Sequence, residues 1–205
     1  MENLLNIFVS SIFIDNMIFA YFLGMCSYLA ISKTVKTSVG LGLVVMFVLV
    51  ITVPTNYLID NYLLKKGALT WISQDLADIN LNFLSFIMFI AVIASITQLV
   101  EMIVEKYTPT LYNELGIFLP LIAVHCAIMG GSLFMQEREY ANITEATVFA
   151  FGSGIGWLIA IVGIAAIREK VRYSNIPAPL RGLGIAFIMT GLMAIGFMSF
   201  MGIKL

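Results

Sequence analysis

The chain has 205 residues, of which 60% are hydrophobic and 11% charged, and its mean hydropathy is +1.00; these values exclude an ordinary soluble domain and mark an integral membrane protein. A formal net charge of -1 leaves no basic face for neutralising phosphates, so nucleic acid is excluded as a partner. The two cysteines both lie inside apolar runs, which excludes a secreted disulfide framework.

Six apolar segments follow one another at residues 7–32, 39–59, 83–104, 115–135, 143–167 and 181–203, each near the ~20 residues that cross a bilayer as a helix. None alternates apolar and polar residues as a membrane barrel strand does. The expected fold is therefore an all-α integral membrane protein, a single membrane domain over residues 1–205. The opening MENLLN is acidic rather than basic and no small-residue cleavage site follows it, so a removable signal peptide is not expected. The longest link, 60–82, carries Lys65, Lys66, Gly67 and the interfacial aromatic Trp71, and is too short to house a nucleotide-binding domain.

Lys33, Lys36, Lys106, Arg168, Lys170, Arg172 and Arg181 follow segments one, three and five, whereas Lys65, Lys66, Arg138 and Lys204 lie on the other side. The positive-inside rule then places both termini outside and the REKVRYSNIPAPLR loop in the cytoplasm. Glu101 and Glu105 fit the inner edge of segment three, where they snorkel or pair with Lys106. Asp15, in FIDNMIF, is an acid within a span and hence a candidate for ion handling, with a place at the outer interface as the alternative.

Segment four, LGIFLPLIAVHCAIMGGSLFM, holds Pro120, the chain's one histidine His125, Cys126 and the pair Gly130-Gly131. Pro120 removes a backbone bond and the glycines form a second weak point, so this helix is expected to bend or break near its cysteine. Cys26 occupies the corresponding place in segment one, 100 residues earlier, with Gly24 just before it. Three spans per half bring the second half into the membrane from the opposite side. The expectation is an inverted 3+3 repeat, with halves of about 1–108 and 109–205 and with helices 1 and 4 broken near Cys26 and Cys126.

A cysteine in a bilayer is commonly a small packing residue, and a disulfide between the two is a further option. If the thiolates hold a metal, a tetrahedral sulfur site or an iron–sulfur cluster takes four, and the missing two must come from another chain or a second copy. His125 is an alternative ligand, but adjacent helical residues diverge by about 100°, so it joins Cys126 only on distorted backbone. FGSGIGW (151–157) looks like a dinucleotide loop but follows no strand; Gly152 and Gly156 read as small residues for helix packing, and Gly191 and Gly196 are expected to thin helix six likewise.

The blocks FLGMCSYLAISK (22–33), LGIFLPLIAVHCAIMGG (115–131), FGSGIGW, AIREK (166–170) and RGLGIAFIMTGLMAIGFMSF (181–200) together resemble the E subunit of the bacterial sodium-translocating NADH:quinone oxidoreductase family, with the A subunit of the Rnf complex as a close relative. The resemblance covers essentially the whole chain. It implies a multi-pass protein of the bacterial inner membrane within a six-subunit complex, paired with the similar D subunit in opposite orientation. It further implies that Cys26 and Cys126 ligate a [2Fe-2S] centre shared with two cysteines of the D subunit. Electrons would pass through it from the cytoplasmic NADH, flavin and iron–sulfur subunit to a flavin-carrying one, on the way to quinone. This chain has neither a Gly-rich loop after a strand nor a flavin-attachment motif, so no NAD or flavin of its own is expected, and no catalysis in isolation. The resemblance departs at His125, where the family usually has Asn, and hydrogen bonding around the sulfurs is the property this affects.

Overall fold

The computed structural model describes residues 2–64, 82–107 and 122–202. Among these, every regular element is helical. Besides short 3-10 turns at Asn82–Leu84, Ala178–Leu180 and Ser199–Gly202, the elements are α1 (Glu2–Val9) with a π-helical extension (Ser10–Ile14), α2 (Met25–Ile31), α3 (Val35–Ile59) with a second π-helical extension (Asp60–Leu64), α4 (Ser85–Tyr107), α5 (Cys126–Glu137), α6 (Ile143–Val171) and α7 (Leu183–Met198). The features read at Lys65, Lys66, Gly67, Trp71, Pro120 and Lys204 lie outside the described residues.

Three of the described helices are long and apolar enough to cross a membrane: Val35–Leu64, Ser85–Tyr107 and Ile143–Val171. Leu4–Ile14 and Leu183–Met198 are apolar but shorter. α3 and α6 form the central pair, and among the described elements no other two share so long a contact. Both are apolar all round, as fits helices buried against neighbours on one side and hydrocarbon on the other. Fully buried Trp157, Tyr28, Phe89 and Phe149 fill the spaces between elements. α4 is the opposite case, with Ile87 62% and Leu99 56% exposed, an apolar surface that suits lipid or another subunit.

Small residues set the closest approaches. A Cβ at Gly152 would strike the Ser11 hydroxyl, and one at Gly156 would lie 2.9 Å from the Ile12 carbonyl, so α1 and its π-helical extension are seated directly on the α6 backbone. Gly191 and Gly196 of α7 differ from that expectation, because no described atom of this chain lies within 4 Å of the Cβ either would carry. Gly130-Gly131 is not a second weak point either: α5 is continuous through it. Leu23 packs where a Gly130 side chain would stand and Leu49 where one of Gly131 would, so these glycines make room for neighbours instead of breaking the helix.

Candidate functional site

The chain between the π-helical Ser10–Ile14 and α2 is irregular, and one side chain organises its backbone. Asn16 is 1% exposed; its amide donates to the carbonyls of Ile12 and Gly156, both at 3.0 Å, and its Oδ1 accepts from the N–H of Ile18 at 3.0 Å. Buried polar groups require such partners, and here they fix the turn to α6. Two residues then take left-handed backbone, Phe22 at φ 56° and Gly24 at φ 85°. Gly24 is the N-cap of α2, so Cys26 lies in that helix's first turn.

Cys126 likewise begins a helix. His125 has extended backbone and caps α5, its Nδ1 accepting the N–H of Ala127 at 3.3 Å. A ring nitrogen that accepts carries no proton, so in the neutral ring the proton is on Nε2. Nε2 then donates to Ser27 Oγ at 2.5 Å, and Ser27 in turn donates to the Gly24 carbonyl at 3.1 Å. Both ring nitrogens are engaged within the chain. The histidine occupies the role of an N-cap, a place where asparagine is among the preferred residues.

Two strands of contact thus join the surroundings of the cysteines. The Gly24 N–H donates to Cys126 Sγ at 2.9 Å, and Ser27, next to Cys26, meets His125, next to Cys126. The bond ties the turn before α2 to the first residue of α5. Trp157 closes the turn from α6: its indole lies edge-on to His125 with ring centroids 5.2 Å apart, and among the described residues its buried Nε1 has no acceptor. Cys26 and Cys126 are both free thiols on the exposed surface. Among the described residues, no three His, Cys, Asp or Glu side chains converge as a complete metal site. The donor set is therefore two accessible thiols with a sulfur-directed N–H, which matches half of a four-thiolate site.

Asp15 lies in a tight cluster of its own. Its carboxylate pairs with Arg138 at 2.8 Å and accepts from Ser10 Oγ at 3.0 Å and Tyr21 Oη at 3.2 Å. Burial holds Tyr140, beside Arg138 in the α5–α6 connection, above the usual tyrosine pKa range. A further polar group is one that hydropathy does not reveal. Asn56 donates to Ser132 at 2.8 Å and Gln136 donates to Asp60 at 3.0 Å, forming two rungs between α3 and α5. The available signal is a pair of polar residues four apart in each of two segments. Hydropathy places Asp60 in a link, whereas it is 4% exposed in a helix that continues to Leu64.

A family profile described as "Rnf-Nqr subunit, membrane protein" matches residues 4–204. The chain belongs to the Rnf-Nqr membrane-subunit family. Relatives within it include proteins named as the E subunit of Na(+)-translocating NADH-quinone reductase from Maridesulfovibrio salexigens, 58% identical over the full length of both chains, and from Methylococcus capsulatus, 54% identical over the same extent. A relative of the same name from Rhodopirellula baltica is 53% identical over all of this chain and 99% of its own. Among the described residues the neighbourhood of Cys26 and Cys126 combines accessible thiols, left-handed backbone and an indole without an acceptor.

Proposed function

We propose that this chain is the E subunit of a sodium-translocating NADH:quinone reductase and carries half of an intramembrane electron-relay site. Cys26 and Cys126 supply two thiolates, and a homologous membrane subunit supplies two more, to a [2Fe-2S] centre. The observation that carries the reading is the bond from Gly24 N–H to Cys126 Sγ at 2.9 Å beside two free, exposed thiols. Full-length identity to proteins named as E subunits supports the sodium-translocating branch over the Rnf branch.

When bound, the centre would accept and release one electron at a time. The chain's own residues hold and orient the thiolates. Asn16 and Gly24 shape the approach to Cys26, while His125 caps the helix that begins at Cys126 and ties it through Ser27 to α2. N–H donors to sulfur stabilise its negative charge and so set how readily a bound centre is reduced.

In this reading α1 with α2, and the segment ending in α5, are the interrupted first and fourth of six spans arranged as an inverted repeat. Both termini face outward, and the bacterial inner membrane is the setting. Were a bound centre to interact differently with two arrangements of α2 and α5, its redox state would bias the chain between them.

The test is iron and acid-labile sulfide content, with electron paramagnetic resonance after reduction, on the purified complex and on its Cys26→Ser and Cys126→Ser variants. Each variant is expected to lose one cluster signal and electron flow to quinone while the signal of the soluble iron–sulfur partner remains. Full iron content and turnover in both variants would return the cysteines to a packing role.

A further inference from the structure

At the end of α6 opposite its N-terminus the chain forms a cavity of about 550 Å³, in the size range of small-molecule sites. Four cations line it: Lys33 after α2, Arg168 and Arg172 at the end of α6, and Arg181 before α7. Among the described residues none of the four has a carboxylate partner. Arg168 is held in place, its Nη1 donating to the Leu29 carbonyl at 2.8 Å and Ser32 Oγ at 2.7 Å. The other three are exposed at the cavity's edge. Such a concentration of like charge is unfavourable unless an anion shares it.

Aliphatic side chains share the lining, Val171 from α6 and Ile185 from the first turn of α7 among them. The N-terminus of α7 also borders the cavity, where Gly182 has φ 97° and no side chain caps the helix. Guanidinium groups match phosphate oxygens in a planar, two-point fashion, and basic pockets between membrane helices suit anionic head groups.

We propose that this cavity binds the phosphate of an anionic phospholipid, with the cations on the head group and the aliphatic side chains beside the start of its acyl chains. Free phosphate shares the charge chemistry but has nothing to place against Val171 and Ile185, and it leaves most of the volume unused. The inference is independent of the cysteine site. It gives Arg172 and Arg181 a binding task in addition to their contribution to orientation.

The experiment is native mass spectrometry of the intact, delipidated complex titrated with dioleoyl phosphatidylglycerol, comparing wild type with Arg172→Gln/Arg181→Gln. Loss of two of the cations that face the head group is expected to raise the half-saturating lipid concentration roughly tenfold or more. Dioleoyl phosphatidylcholine should bind weakly to both, and excess inorganic phosphate should not displace the glycerolipid. Lys170→Gln removes a charge that lines a separate groove and should bind like wild type. Equal lipid binding by wild type and the double variant, an equal loss in Lys170→Gln, or displacement by inorganic phosphate would each overturn the assignment. The complex mass in the same spectra reports assembly; if the double variant does not assemble, Arg181→Gln alone, at an exposed position outside the helices, carries the comparison.

Discussion

Gly24 meets three requirements that no other residue type satisfies together. Its φ of 85° is costly for a residue with a Cβ, and that Cβ would lie 2.6 Å from Trp157 Nε1 and 2.9 Å from His125 Cε1. Its N–H must also reach Cys126 Sγ. Gly24→Ala is therefore expected to destabilise the protein by at least roughly 1 kcal/mol, since strained backbone and a clash add to the loss of glycine's freedom. The measurement is the apparent Tm of the purified complex in detergent, where an unchanged value would show that the turn relaxes without cost. The corresponding placement of Cys26 and Cys126 in two apolar segments is legible in the sequence. The role of His125 is not, because its contacts are made with Ser27, 98 residues away, and capping depends on the extended backbone that precedes α5.

At the level of elements, hydropathy locates the spans but not their ends. It bounds the second segment at 39–59 although the helix runs from Val35 through Leu64, because apolar length reports the hydrocarbon layer and not where backbone bonding stops. That difference in the end conceals the α3–α5 rungs. At the rung nearer the middle of α3, Asn56 is fully buried and its Oδ1 has no partner among the described residues, so its amide depends on Ser132. Ser132→Ala should cost roughly 1–3 kcal/mol by stranding that amide, whereas Asn56→Leu/Ser132→Ala removes both polar groups and should cost less than the two single changes together. Unfolding in increasing proportions of denaturing detergent measures all three. Strict additivity would mean that the rung carries no coupling and that Ser132 serves only its own helix.

Taken as a whole molecule, the segment from Asp15 to Ser32 is tethered to the second half of the chain at three levels. Asp15 pairs with Arg138 at one end, Gly24 and Ser27 meet Cys126 and His125 in the middle, and Ser32 receives Arg168 at the other. A segment fastened at both ends keeps its central turn in register with α5, so the outer ion pair should influence the cysteine neighbourhood without touching it. Asp15 is 20% and Arg138 32% exposed, which screens the pair but leaves it more sheltered than a surface contact. Ser10 and Tyr21 add hydrogen bonds to the same carboxylate, so the coupling should be roughly 1 kcal/mol. A double-mutant cycle of Asp15→Asn, Arg138→Gln and the pair, read by thermal stability of the complex at low and high salt, measures it. The expected result is a coupling that shrinks as salt rises and is accompanied, in the single variants, by faster alkylation of the exposed Cys126 thiol. A coupling near zero at low salt, with unchanged thiol reactivity, would show that the middle contacts hold the turn by themselves and that the ion pair is a local feature of the membrane edge.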